Sequence, residues 1–222
     1  KGLLSGERLH LDLKRMEMAY LDKNTRQYEI TKQISLLQLN PMALIMLKET
    51  GFCELEIPEF LFDMDYPGHY LRRIKNVSLT IPCITGPYTG INCTLTLLSN
   101  KTRIHTETIT DNGTAYPEST DQDDFRFVTD FGAMQSIATS HGQNDSGLFE
   151  LNFRDERYLP FEGAGVISHW RIEMNKEFSA FDFDTISDVI IQLRYTAKQG
   201  GELLKQAAME ALNDIISEDQ LS

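Results

Sequence analysis

The sequence is poor in cysteine, in basic residues and in long apolar runs, and each scarcity excludes a class of protein. Three cysteines, Cys53, Cys83 and Cys93, form no CxxC pair, so free buried thiols are predicted rather than disulfides or a metal site. Only 21 Lys and Arg stand against 33 Asp and Glu, and the net charge of −12 argues against nucleic acid or an anionic membrane surface as a partner. The longest apolar run, residues 42–47, is far shorter than the roughly 20 residues that span a bilayer.

Signatures of catalysis and of metal or cofactor binding are missing as well. The five histidines, at positions 10, 69, 105, 141 and 169, are far apart and form no HExxH motif, and no GxSxG motif is present. Asp121, Asp123 and Asp124 resemble the start of a calcium loop, but the EF-hand order fails at Phe125, so a solvated acidic loop is favoured. The sequence therefore predicts a protein that is not an enzyme and that binds no metal or cofactor.

The length of 222 residues suits one large domain, or one domain with an appendage. The chain begins with Lys1 rather than Met, and charged residues follow its first apolar ones. It is therefore expected to be a piece of a longer protein, with no signal peptide of its own.

Alternation of apolar and polar residues is strongest in residues 159–201, which contain the only tryptophan. One run places Val166, Trp170, Ile172 and Met174 on a single face, and a second run alternates over residues 189–196. A period of two predicts half-buried strands. Because Trp170 shares its face with aliphatic residues, a core position is favoured over a ligand platform.

Shorter alternating runs, at 53–57, 77–81, 93–97, 135–139 and 148–153, are separated by Pro, Gly and Asp turn signals. Such spacing indicates an antiparallel β-sandwich or barrel. Residues 101–124 lose the apolar pattern and are predicted to form a long loop, which is either functional or disordered. Residues 27–39 fit a strand or a helix, and the Ile and Thr residues favour a strand.

Three helices flank the predicted strands. Residues 7–26 carry two separate apolar stripes, so this helix either crosses the core of its own domain or lies between neighbouring subunits. Asn40 and Pro41 begin a short helix that ends at Gly51. Residues 202–217 are amphipathic, with Leu204, Ala208, Ala211 and Ile215 on one face, and are expected to dock on the sandwich or on a partner subunit. The predicted fold class is mainly β with flanking helices (α+β).

The following long segments occur in order along nearly the whole chain: GERLHLDLKRMEMAYL, YEITKQISLLQLNPMALIMLKETG, FDMDYPGHYLRRIKNVSLTIPC, GPYTGINCTLTLL, LPFEGAGVISHWRIEM and FDFDTISDVIIQLRYTAKQGG. Together they resemble the extreme C-terminus of the A component of bacterial Tc (toxin complex) toxins. Only the polar residues 101–146 are not distinctive.

The resemblance implies a pentameric, pore-forming translocation subunit of a secreted toxin, whose channel inserts into the host cell membrane. In that family the C-terminal domain receives the β-propeller of the B component, and B and C form a cocoon that carries the toxic enzyme. Residues 1–26 would then be the end of a channel helix. Residues 27–222 would be the B-binding domain.

No short motif marks the family's contact residues in this sequence. Loops at one rim of the sandwich are the expected contacts, chiefly Pro87 and Tyr88 together with Asp121, Asp123 and Asp124. The alternative is a lectin-like carbohydrate-binding sandwich in which Trp170 or Tyr88 stacks on a sugar.

Overall fold

The computed structural model describes residues 2–23, 26–84, 90–108, 116–118, 124–141, 148–150, 159–176 and 182–219. In these ranges the chain forms nine strands, five α-helices and one 3₁₀ turn. In chain order they are α1 (Gly2–Lys23), β1 (Tyr28–Ser35), α2 (Leu36–Leu39), α3 (Pro41–Thr50), β2 (Phe52–Ile57), α4 (Phe60–Asp63), β3 (His69–Pro82), β4 (Gly90–Arg103), β5 (Phe127–Asp130), β6 (Met134–His141), β7 (Leu148–Glu150), β8 (Ile167–Glu173), the 3₁₀ turn Phe183–Thr185, β9 (Ile190–Gln199) and α5 (Glu202–Asp219).

The strands form two antiparallel sheets. The first has the order β1-β9-β3-β7, and the second has the order β2-β8-β4-β5, with β6 also paired to β4. Leu79 and Ile191 from the first sheet share one buried core with Leu55, Leu97 and Trp170 from the second. The predicted antiparallel sandwich with flanking helices is therefore confirmed.

The two alternating runs in residues 159–201 are the central strands β8 and β9. β8 lies between β2 and β4, and Trp170 pairs with Leu55 on one side and Leu97 on the other. Its indole is fully buried, packs edge-on against Phe161 at 5.0 Å between ring centroids, and donates a hydrogen bond from Nε1 to Ser168 Oγ. The predicted core position of Trp170 is confirmed, and a fully buried ring is not available to stack on a sugar.

Helix α3 begins and ends where the sequence predicts. The Asn40 side chain accepts a hydrogen bond from the Ala43 backbone, Pro41 occupies the first helical position, and Gly51 ends the helix with a φ of 77°. Residues 27–39 are only partly a strand, because Ser35 caps the short α2 and its hydroxyl donates to Asp188. A local cap thus ends β1 four residues earlier than predicted.

Helix α5 docks on its own chain through its first half. Leu204 and Ala208 are fully buried and pack with Tyr116 in a second, smaller cluster. Further along, Ile215 is 38% exposed, so its predicted core position is wrong in the single chain. The apolar face of α5 is therefore longer than the part of it that the sandwich buries.

The predicted loop at 101–124 begins later than expected. β4 continues through Arg103 and pairs with β5, a strand that the sequence pattern does not reveal. The end of β4 stays in the sheet although it is polar, because backbone pairing does not require apolar side chains. The Arg103 side chain is buried, and its charge is compensated by an ion pair with Glu59. Within the described ranges, no helix has the length and apolar content needed to cross a membrane.

Candidate partner-binding surfaces

One of the five predicted contact residues falls in the part of the chain that the structure describes. Pro87, Tyr88, Asp121 and Asp123 lie outside the described residues. The Asp124 side chain is only 4% exposed and accepts hydrogen bonds from Arg126, at 2.9 Å from Nε and 2.6 Å from Nη2. Asp124 is therefore held by Arg126, and its contact with a partner stays a prediction.

A buried charged network lies beside that loop. Arg103 donates to both carboxylate oxygens of Glu59, at 2.9 and 2.8 Å, and to the Tyr116 carbonyl at 2.8 Å. Arg72 donates to Asp63 Oδ1 at 2.5 Å, and Tyr116 donates from its hydroxyl to Asp63 Oδ2 at 2.6 Å. Two guanidinium groups thus balance two carboxylates, which buried charges require.

The network ties the polar segment to the sandwich. The Arg103 guanidinium lies 4.4 Å from the ring centroids of both Tyr116 and Phe127, and Arg126 Nη2 donates to the Pro117 carbonyl at 2.9 Å. Burial raises the pKa of Asp63 and of Tyr116, so the phenol stays protonated and acts as a donor. Residues 116–118 are thereby held against β4, β5 and α4.

Next to this network is a cleft of about 290 Å³, called here the α5 cleft. One wall is the distal half of α5, and the other is the segment around α4 together with Ile167 and Pro117. Its lining side chains divide into an apolar set and an acidic set. The apolar set is Pro58, Phe60, Pro117, Ile167, Ala208, Ala211, Leu212 and Ile215, and the acidic set is Glu56, Glu59, Asp63 and Glu118, with Tyr116 beside them.

Helix α1 has no packing partner along the part whose side chains are described. Every residue from 6 to 20 is exposed, and Leu9, Leu11, Leu13, Met16, Met18 and Tyr20 are each more than half exposed. The interpretation that this helix crosses the core of its own domain is therefore wrong. A helix with two bare apolar stripes is typical of packing between neighbouring subunits.

A second bare apolar surface lies on α3 and the neighbouring α2. Ala43, Leu44 and Leu47 face the core, while Met42, Ile45 and Met46 point outward and, like Leu37 on α2, are roughly half exposed or more. A helix that is apolar on both sides is normally covered on both sides. Methionine adapts to varied partners, so this face is a candidate contact surface.

Metal and thiol chemistry find no support in the described residues. No group of three or more His, Cys, Asp or Glu in those ranges is placed to hold a metal ion. Cys53, Cys83 and Cys93 are free and buried, as predicted, and burial raises the pKa of Cys53 and Cys93 to about 12 and that of Cys83 to about 11. These thiols are protonated at neutral pH and therefore poorly nucleophilic.

Sequence reasoning did not find the charged network or the α5 cleft. Glu59 lies 44 positions before Arg103, and Asp63 lies 53 positions before Tyr116. No periodicity connects such pairs. The available signal was weak: Arg103 lies a few residues after the apolar alternation of Cys93, Leu95 and Leu97.

Comparison with known proteins finds a matching family and several similar proteins. Residues 1–197 match the family described as the Tc toxin complex TcA C-terminal TcB-binding domain. The toxin subunit YenA2 of Yersinia entomophaga is 39% identical over 225 residues, which cover 99% of this chain and 16% of that protein. Among solved structures, TcaA-TcaB of Yersinia pseudotuberculosis is 23% identical with a TM-score of 0.47, covering 89% of this chain and 11% of that one. TcdA4 of Morganella morganii is 24% identical with a TM-score of 0.44, covering 88% of this chain and 8% of that one.

Proposed function

Because the chain belongs to the family of Tc toxin complex TcA C-terminal TcB-binding domains, we propose that it is a non-catalytic docking module of a toxin translocation subunit. In this proposal it binds the β-propeller of the B component, so that the toxic enzyme in the B–C cocoon enters the channel of the A component. The observation that carries the proposal is the family match over residues 1–197. The chain spans 16% of YenA2, so the remaining functions of the subunit belong to other parts of such a protein.

We assign different roles to the two ends of the described chain. Residues 1–26 are the end of a channel helix, and residues 27–222 are the B-binding domain. The exposed apolar residues of α1 support this division, because the helix contributes little to the sandwich and needs neighbours for its own burial. In the full A component those neighbours are the helices of a homopentamer, and the rest of that secreted protein inserts into the host cell membrane.

The test is a binding titration of the 222-residue chain against a purified B–C cocoon, with calorimetry or biolayer interferometry as the readout. The proposal expects saturable binding to the cocoon and none to the isolated C-terminal enzyme. A glycan array on the same chain tests the lectin alternative, whose Trp170 ring is buried. Absence of binding to the cocoon would overturn the docking proposal, and a signal on the array would then favour the lectin alternative.

The predicted rim contacts are tested separately. Asp121→Lys and Asp123→Lys, alone and combined, are expected to weaken binding to the B component through charge reversal. Asp124→Lys also breaks the buried contact with Arg126, so its thermal stability must be measured before its affinity is interpreted. Unchanged affinity in the Asp121→Lys, Asp123→Lys double variant would remove these residues from the interface.

A further inference from the structure

We propose that the α5 cleft binds a lysine or arginine side chain presented by the B component. The inference rests on the proposed docking function and specifies one contact within it. It is drawn from the shape of the cleft, its apolar wall and its acidic lining.

The apolar wall suits the methylene stem of a long side chain. Ala211, Leu212 and Ile215 project from α5 towards Pro58 and Ile167, and Ile215 remains 38% exposed in the single chain. The volume of about 290 Å³ is at the lower end of the range for small-ligand pockets, which fits a single side chain better than a folded element. Lys and Arg bury their stems against apolar surfaces of this kind while keeping the charged head among polar groups.

The charge of the lining selects a cation. Glu56, Glu59, Asp63 and Glu118 all line the cleft, and no Lys or Arg is among the described residues that do so. Glu59 and Asp63 are balanced by Arg103 and Arg72, and their carboxylate oxygens already accept hydrogen bonds. The attraction therefore comes mainly from the carboxylates nearer the solvent.

Glu56 is the carboxylate that carries the recognition. Its side chain is exposed, and although the Glu56 backbone lies in the β2–β8 ladder, its carboxylate makes no hydrogen bond or ion pair with another described residue. Glu118 pairs with Lys101, but both side chains are about one-third exposed, and such surface pairs exchange partners at little free-energy cost. An incoming ammonium or guanidinium group thus meets one free carboxylate and one that is easily redirected.

The first experiment measures affinity for the B–C cocoon with three variants of the 222-residue chain. Ala211→Trp fills the cleft and is expected to raise Kd at least tenfold, while Glu56→Gln removes the free charge at constant size and is expected to raise Kd about fivefold. Glu210→Gln is the matched control, because Glu210 is exposed and does not line the cleft: it lies about 200° around α5 from Ala208 and about 100° from Ala211. Circular dichroism melting confirms that each variant is folded; Glu56→Gln changes only an exposed side chain and keeps the test valid if Ala211→Trp unfolds.

The second experiment needs no B component and therefore separates this inference from the proposed function. The probe is N-acetyl-arginine methylamide, titrated into the chain and followed by NMR of the Ala and Ile methyl groups, with N-acetyl-norleucine methylamide as the neutral probe. The arginine probe is expected to shift the Ala211 and Ile215 methyl signals, and Glu56→Gln should abolish the shift.

The outcomes are distinguishable. A wild-type chain that fails to bind the cocoon overturns the docking proposal, and the NMR titration then decides alone whether the cleft takes a basic side chain. A wild-type chain that binds while Glu56→Gln and Ala211→Trp bind equally well overturns the cleft contact and leaves docking intact. Equal NMR shifts from the arginine and norleucine probes would show an apolar slot without cation selectivity and would also overturn the inference.

Discussion

At the scale of single residues, buried arginines hold the polar segment to the sandwich. The Arg103 side chain is 1% exposed, lies between the rings of Tyr116 and Phe127, and forms a two-pronged ion pair with Glu59. Removing one partner of a buried pair is more harmful than removing an exposed charge, because the remaining charge stays buried without compensation. Replacing Arg103 should therefore lower the stability more than replacing an exposed arginine of the same fold.

Arg103→Met should lower the free energy of unfolding by about 3–5 kcal/mol, because Glu59 then keeps only a 3.4 Å contact to Arg72. Arg171→Met is the control: Arg171 pairs with Glu54 across two strands, but both side chains are more than one-third exposed, so about 1 kcal/mol or less is expected. Urea unfolding followed by tryptophan fluorescence measures both. Equal losses in the two variants would contradict the assigned role of Arg103.

At the scale of secondary-structure elements, two glycines with positive φ angles occupy different surroundings. Gly51 joins α3 to β2 at a φ of 77°, and a Cβ there would lie 2.4 Å from the Met174 carbonyl oxygen. Gly163 has a φ of 86°, with no atom within 4 Å of such a Cβ. Alanine variants at these two positions therefore separate the cost of backbone strain from the cost of steric overlap.

Gly163→Ala should therefore cost about 1–2 kcal/mol of stability, from the left-handed backbone alone. Gly51→Ala should cost about 1–3 kcal/mol more, because Met174 donates its amide to the Gly51 carbonyl and the strand cannot move away freely. Thermal and urea unfolding of the two variants provide the comparison. If Gly51→Ala is no worse than Gly163→Ala, the close approach of α3 to β8 is not a constraint on the fold.

At the scale of the whole molecule, two properties bear on binding to partners: the exposed apolar helices and the net charge. α1 and the outer face of α3 offer apolar surface for partners, while the charge of −12 is present on every copy. In the proposed homopentamer, five copies around one channel mouth would multiply that charge fivefold. Such a ring would attract a basic partner or unfolded cargo over distances set by the salt concentration.

The rate of association with the B component should therefore fall as sodium chloride is raised from 50 to 500 mM, because screening weakens the attraction. The dissociation rate should change much less, since it reports contacts already formed. Stopped-flow measurements with the full-length A component give both rates, and sucrose at matched viscosity is the control. An association rate independent of salt would exclude electrostatic steering.

The sequence by itself determined the strands at the centre of each sheet, the termini of α3 and the family. Alternation along β8 and β9, the Asn40 cap and Gly51 are local features, and each acts through neighbouring residues in the chain. Local rules of this kind can be applied without knowing the fold. The long segments that resemble the Tc A component are equally a property of the sequence.

Only the tertiary structure decided the charged network, the α5 cleft and the fate of the two amphipathic helices. Arg103 pairs with Glu59, which lies 44 positions earlier in the sequence. β5 becomes a strand because it pairs with the end of β4, and Ile215 on α5 stays partly exposed. These features depend on which surfaces meet in space, because an ion pair or a cleft has no period in the sequence. An amphipathic pattern predicts that a helix needs a partner, and the three-dimensional fold decides whether the same chain provides it.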